Sequence, residues 1–121
     1  MKMEDTFYAN IYMGTIPGYT GDPANPDIVY NICQDYCNEV KLGVTITPIT
    51  FTYVDGCEPG YIIGLINYPR FPSDRETIIF NAINLGLKLM LALEQERFSI
   101  VTPDKTIMME KGDLLDNISS D

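Results

Sequence analysis

The chain has 121 residues, of which 45% are hydrophobic, and it includes eight tyrosines and five phenylalanines. This length and apolar content exclude a disordered chain and predict one globular domain with a single core. It carries 17 acidic and eight basic residues and no histidine, so its net charge is −9. The acidity argues against binding to nucleic acid or to anionic membranes. The missing histidine excludes Ser-His-Asp triads, imidazole bases and His-ligated zinc.

The first third of the chain predicts a strand, a loop and a helix. Apolar residues alternate over 7–13, which is the period of a strand with one buried face. Residues 14–26 hold three glycines and three prolines and predict a long loop, typical of functional or mobile segments. Over 26–41 apolar residues recur at helical spacing, with Asn25 as the expected N-cap and Gly43 as the expected helix stop.

Two strands are predicted next, separated by a turn at 55–60. Residues 44–54 are rich in β-branched and aromatic types, and Pro48 marks this strand as an edge or a bulge. Residues 61–68 are apolar on both faces. This pattern is typical of a central strand, or of one whose second face meets another subunit.

A second helix and two short strands complete the predicted elements. The helix is expected from Ser73 to about Glu96, with Ser73 and Glu76 forming a capping box. It is apolar on more than one face, which predicts burial. Residues 98–101 and 106–109 read as two strands around a β-turn.

The order of these elements predicts an α+β, ferredoxin-like βαββαβ fold with an extra C-terminal strand. An antiparallel sheet would be covered on one face by two helices, within a single domain over 1–110, followed by an acidic tail over 111–121. The open sheet face is expected to be buried by a second subunit, giving a homodimer or a higher homo-oligomer. The side chains expected there are Tyr8, Tyr12, Phe51, Tyr53 and Tyr61.

The segment 67–76 is the strongest candidate for ligand binding. It contains two of the three arginines of the chain and ends at a helix N-terminus, where free N–H groups favour an anion. Guanidinium groups, a hydroxyl and aromatic rings together suit a nucleotide-like ligand. Plain helix capping and surface ion pairing is the alternative interpretation. The candidate ligand-binding residues are Tyr68, Arg70, Phe71, Ser73 and Arg75, with Tyr19 from the preceding long loop.

The three cysteines, Cys33, Cys37 and Cys57, predict no disulfide framework, because their number is odd and no secretion signal begins the chain. No metal site and no cofactor are predicted. The protein is expected in the cytoplasm, without association with membranes or nucleic acid.

The stretches YIIGLINYPRFP (61–72) and FSIVTPDKTIMM (98–109) resemble parts of small bacteriophage proteins. Phage proteins of this kind include antagonists of bacterial immunity, so the resemblance implies an anti-defence role in the host cytoplasm. Combined with the missing histidine, it leads to the hypothesis of a non-enzymatic protein that binds and sequesters a small nucleotide-derived immune signal. One alternative is an acidic decoy that inhibits a host protein; another is a small structural or accessory phage protein.

Overall fold

The computed structural model describes residues 1–113 of the chain. Within them, the α-helices and strands follow the predicted order of one strand, a helix, two strands, a helix and two strands. They are β1 (Tyr8–Gly14), α1 (Pro26–Val40), β2 (Thr45–Tyr53), β3 (Gly56–Ile66), α2 (Arg75–Ala92), β4 (Arg97–Val101) and β5 (Thr106–Glu110). The predicted acidic tail lies outside the described residues from position 114 onward.

The five strands form one antiparallel sheet in the order β2-β3-β1-β4-β5. Strand β3 lies between β1 and β2, and β1 lies between β3 and β4, as the ferredoxin-like topology requires. The predicted fold class, including the extra C-terminal strand, is confirmed. Pro48 lies on the edge strand β2, where its missing N–H breaks no interior ladder.

The core lies between the sheet and the two helices, which pack on one sheet face. Alternating residues of β1 are fully buried, and Ile11 is paired with Ile63 on β3 and with Ile100 on β4. Helix α2 contributes buried side chains on more than one face, as its composition predicts. The buried residues of α2 are Ile78, Asn81, Ala82, Leu85, Gly86, Leu89 and Met90.

The opposite sheet face carries Tyr8 and Tyr12 from β1, as predicted. Phe51 and Tyr53 of β2 lie on the same face: a Cβ at Gly60 would overlap the Phe51 ring, and a Cβ at Gly56 would overlap the Tyr53 ring. Tyr61 was assigned to the wrong face. It is paired with buried Met13, so its ring packs on the helix side, edge-on to Tyr30 at a centroid distance of 5.9 Å.

The ends of the helices differ from the predicted ones. Asn25 caps α1 as expected, accepting a hydrogen bond from the N–H of Asp27. The helix nevertheless stops at Val40, because Lys41, rather than Gly43, takes the left-handed conformation. The N-cap of α2 is Asp74, whose carboxylate accepts from the N–H of Thr77 at 2.7 Å, so the predicted capping box at Ser73 is wrong.

Helix α2 also ends earlier than predicted, at Ala92 instead of Glu96. Glu94 adopts a left-handed backbone with φ of 53°, which turns the chain towards β4. The side chain of Gln95 is thereby buried and donates to the carbonyl of Ile16 at 2.8 Å. The turn predicted at 55–60 is shorter in the structure and consists of Val54 and Asp55. Asp55 has a left-handed backbone conformation, which permits this two-residue hairpin loop.

The long loop 14–26 contains a 3₁₀ turn at Pro17–Tyr19 and is tied to the junction of α2 and β4. Gly18 donates its N–H to the carbonyl of Glu94 at 3.0 Å, and the hydroxyl of Tyr19 accepts from the N–H of Glu96 at 2.7 Å. These bonds anchor the loop against the core. In the part of the chain that the structure describes, no helix has the length and apolarity needed to cross a membrane.

Candidate functional site

A cleft of about 930 Å³ opens between the end of α1, the start of β2 and the loop that joins β3 to α2. This volume is in the range of small-molecule binding sites in general, about 300–1,000 Å³. The cleft is lined by the segment 40–45, which joins α1 to β2, by the end of β3 and by the first two turns of α2. Four residues predicted to bind ligand line it: Tyr68, Arg70, Phe71 and Ser73.

The loop from β3 to α2 is held in shape by Asn67. Its amide nitrogen donates to the carbonyl of Asp5 at 2.9 Å, and its Oδ1 accepts from the N–H of Ser73 at 2.9 Å. Between these anchors the N–H of Phe71 bonds the carbonyl of Tyr68 at 2.8 Å, closing a turn with proline in its second position. Asn67 therefore fixes the residues that form one wall of the cleft.

This turn places aromatic and cationic groups together at the mouth of the cleft. The rings of Tyr68 and Phe71 lie 6.4 Å apart, and the guanidinium carbon of Arg70 lies 5.4 Å from the Phe71 ring centre. All three side chains are exposed, Phe71 by 69%. An unpartnered aromatic pair of this kind offers a flat surface on which a base can stack.

The floor of the cleft is apolar and its mouth is positively charged. The buried lining residues are Gly64, Leu65, Ile78 and Asn81, whereas Lys41 and Arg70 are exposed. Within residues 1–113, no carboxylate side chain lines the cleft. A chain with a net charge of −9 thus carries a locally cationic pocket.

A buried hydrogen bond lies behind the floor. The hydroxyl of Tyr36 on α1 donates to Oδ1 of Asn81 on α2 at 2.8 Å. Burial raises the pKa of Tyr36, and a hydrogen bond with the side chain of Asn84 partly offsets this. The phenol therefore keeps its proton at neutral pH and remains a donor.

Two predicted binding residues lie outside the cleft. Arg75 points to the β4–β5 turn, where its Nη2 lies 3.0 and 2.9 Å from the two carboxylate oxygens of Asp104. Its guanidinium carbon also lies 4.8 Å from the Phe7 ring centre. Tyr19 is bonded to the N–H of Glu96 instead. The structure thus brings together four of the six predicted residues.

Sequence reasoning missed Lys41, Thr77 and Asn81, which line the cleft beside the predicted residues. A signal for Asn81 exists, because it is a polar interruption in the apolar stretch of α2. The position of Asn81 in the cleft depends on the packing of α2 against Tyr36 of α1, and no local sequence pattern encodes that contact.

The cysteines are reduced in the described structure and lie apart from the cleft lining. Burial is the main reason why the pKa of Cys33 is raised to about 12, so this thiol is inert at neutral pH. Among residues 1–113, no group of three potential ligands from His, Cys, Asp and Glu is placed to hold a metal ion.

Comparison with known proteins gives matches in structure only. No protein-family model matches the chain, and no curated protein matches it. Solved structures with this fold include a phage SAM lyase in complex with S-methyl-5′-thioadenosine, with a TM-score of 0.72 and 14% identity over 91% of this chain and 93% of that chain. A phage SAM lyase in the apo state aligns with a TM-score of 0.65 and 14% identity, over 86% and 88% of the two chains.

The similarity at 14% identity establishes a shared fold with these phage proteins. It also contradicts the prediction of a non-enzymatic protein, because both neighbours are enzymes. The prediction rests on the absence of histidine. That absence excludes imidazole chemistry, but it does not exclude a reaction that needs no imidazole.

Proposed function

We propose that this protein is a phage-type anti-defence enzyme of the SAM lyase kind. It binds S-adenosylmethionine (SAM) in the cleft and cleaves it to S-methyl-5′-thioadenosine. The observation that carries the proposal is the match over 91% of the chain to a lyase that holds this thioadenosine, in a chain with a nucleoside-sized cleft. Cleavage takes the place of the sequestration inferred from the sequence, whereas the nucleotide-like ligand is retained.

The lining of the cleft suits the parts of SAM. The apolar floor and the rings of Tyr68 and Phe71 suit the adenine, which prefers flat, apolar contacts. Arg70 and Lys41 at the mouth suit the carboxylate of the methionine part. The ligand would therefore enter base first, with its amino-acid end near solvent.

The charge of the molecule also fits this substrate better than an anionic signal. SAM carries a sulfonium and an ammonium against one carboxylate and is therefore a net cation. A chain with a charge of −9 attracts a cation over long range, whereas it repels a nucleotide phosphate. The acidic composition is therefore compatible with this ligand, whose carboxylate would face the cationic mouth of the cleft.

The reaction is compatible with a chain that has no histidine. The bond between the sulfonium sulfur and Cγ breaks, and its electron pair stays on sulfur as the neutral thioether. In one route, the substrate's own carboxylate attacks Cγ and closes a lactone. In the other route, an elimination, a base removes a Cβ proton and a double bond forms between Cβ and Cγ. Because no carboxylate side chain among the described residues lines the cleft to take that proton, we favour lactone closure.

The apolar floor would assist bond cleavage. In lactone closure the sulfonium and the carboxylate both lose their charge, so surroundings of low polarity favour the transition state over the charged substrate, while Lys41 and Arg70 orient the carboxylate. Exclusion of water by a bound base at the apolar floor strengthens this effect.

The direct test is incubation of the purified protein with SAM, followed by chromatography and mass spectrometry at early time points. We expect S-methyl-5′-thioadenosine and an equal amount of homoserine lactone. Phe71→Ala and Arg70→Ala should each lower kcat/KM by about tenfold or more, a loss of about 1.4 kcal/mol in transition-state binding.

Lys105→Ala is the charge-matched control for Arg70→Ala, because Lys105 lies in the β4–β5 turn and does not line the cleft. It should leave the rate unchanged. A folded wild-type protein that neither cleaves SAM nor binds the thioadenosine would contradict the proposal. That result would favour the acidic decoy of a host protein or a structural phage protein.

A further inference from the structure

The floor of the cleft presents one polar side chain from the described residues. Among the buried lining residues Gly64, Leu65, Ile78 and Asn81, only Asn81 offers a side-chain hydrogen-bonding group. It is 7% exposed. A polar group at an otherwise apolar floor decides which edge of an entering base can be accommodated, because an unmatched donor or acceptor there stays unsatisfied.

The orientation of the Asn81 amide is fixed from behind. Its Oδ1 accepts a hydrogen bond from the Tyr36 hydroxyl at 2.8 Å. Within residues 1–113, the Asn81 side chain makes no second hydrogen bond. No fully buried polar side-chain atom in those residues lacks a partner, so the Nδ2 group keeps access to open space. Asn81 lines both the cleft and a smaller depression on its other side, and Tyr36, which holds its Oδ1, belongs to the lining of that second depression and not to the cleft. Asn81 therefore turns its acceptor towards α1 and keeps two N–H donors for a ligand.

The polarity of the cleft determines which edge of the base reaches this donor. The cations Lys41 and Arg70 lie at the mouth and draw the amino-acid end of SAM outwards. In adenosine the sugar is attached at N9, so the edge with N1 and the 6-amino group is the most distant from the rest of the molecule. That edge reaches the floor first, and its hydrogen-bond acceptor is N1.

We propose that Asn81 selects adenine by donating a hydrogen bond from Nδ2 to N1 of the base, and that Tyr36 is the positioning residue that holds this amide in place. The inference rests on the proposed function, since it concerns the same cleft and the same ligand. Hypoxanthine, which carries N1–H in place of the N1 acceptor, would set a donor against a donor. The site would therefore reject the inosine analogue.

The first experiment uses the wild-type protein and calorimetric titration with S-methyl-5′-thioadenosine and its 1-deaza, 3-deaza and 7-deaza analogues. Loss of N1 should weaken binding about tenfold or more, which is the loss of one buried hydrogen bond. The 3-deaza and 7-deaza analogues should bind within about threefold of the parent compound, because their N1 is intact. Equal affinity for the 1-deaza analogue and the parent compound would overturn the proposal.

The second experiment compares the thioadenosine with the thioinosine in three variants. Asn81→Asp replaces the donor by an acceptor, so the preference for adenine should fall at least tenfold and shift towards the inosine form. Tyr36→Phe frees the amide to rotate, so the preference should fall while binding of the thioadenosine persists. A merely structural role for Tyr36 would change both affinities alike.

Asn38→Asp is the matched control, because Asn38 is exposed on α1 and bonds Gln34 on the same helix. It should keep the wild-type preference. An unchanged adenine-to-inosine ratio in folded Asn81→Asp would refute the role of Asn81 and leave lyase activity standing. Absence of any thioadenosine binding and turnover in the wild type would instead refute the proposed function and this inference together.

Discussion

At the scale of single residues, close contacts restrict several glycines more than backbone conformation does. Gly86 lies on α2 directly beneath the ring of Phe98, and a Cβ at this position would overlap that ring. Phe98 is buried on β4 and has little freedom to move. Gly86 therefore allows α2 to approach the sheet, at a cost in helix propensity of about 1 kcal/mol relative to alanine.

We predict that Gly86→Ala destabilises the protein by about 1–3 kcal/mol, because overpacking a rigid core outweighs the gain in helix propensity. Urea unfolding followed by circular dichroism measures this. Gly43→Ala is the control, since a Cβ there meets no atom within 4 Å and Gly43 lies outside the helices. Unfolding midpoints of Gly86→Ala at or above the wild-type value would contradict the prediction.

At the scale of elements, the first turn of α2 supports both stability and the site. Asp74 caps the helix through the N–H of Thr77. Hydrogen bonding with the side chain of Thr77, and then with its N–H, lowers the pKa of the Asp74 carboxyl. Thr77 and Asn81 then lie one turn apart along the cleft. A frayed first turn would therefore loosen the floor and one wall together.

A lowered carboxyl pKa contributes stability that is present above the ordinary pKa and lost as pH falls through the value in the folded state. Asp74→Asn keeps a capping oxygen but removes the titrating charge. We expect the wild type to melt at a higher temperature than Asp74→Asn at pH 7, and this advantage to shrink below about pH 4. Thermal melts at several pH values test this.

Asp55→Asn serves as the comparison, because Asp55 lies in the β2–β3 turn and asparagine also accepts its left-handed backbone. Asp55→Asn removes the same charge as Asp74→Asn, but at a position that is not at a helix end. A melting difference between the wild type and Asp74→Asn that stays constant from pH 7 to pH 3 would rule out the linkage.

In the fold as a whole, one sheet face is covered by no helix within residues 1–113 and carries large apolar side chains. Tyr12, Ser99 and Met108 are aligned across β1, β4 and β5 on this face. Met108 is 57% exposed, as is Ile66 at the end of β3. Exposed apolar surface of this kind is typical of interaction sites, so self-association remains our prediction.

We predict that the protein sediments as a dimer or a higher oligomer and that Met108→Lys shifts it towards the monomer. A lysine charge buried in an apolar interface is desolvated without a partner, which weakens association. Sedimentation velocity over a range of concentrations measures the shift. Met3→Lys, at the exposed N-terminus, is the matched control. A wild-type monomer at all concentrations would disprove the prediction.

The order of the elements, and through it the fold class, follows from local patterns in the sequence. Alternation over 7–13 and helical spacing after Asn25 predict elements that the structure contains, because these periods follow from local backbone geometry. The arginines and aromatic rings of the segment 67–76 likewise predict Tyr68, Arg70 and Phe71, which are neighbours in sequence, as ligand-binding residues. The strand and helix periods and the neighbouring side chains depend only on residues that are close together in the sequence.

Which of these side chains come together in a cleft depends on the packing of distant elements. Arg75 lies five residues from Arg70, yet it faces Asp104 because the start of α2 rotates it towards the β4–β5 turn. Asn81 became a candidate only through Tyr36, which is 45 residues away in sequence. A cleft is made by elements distant in the chain, and its chemistry depends on packing that no periodicity in the sequence records.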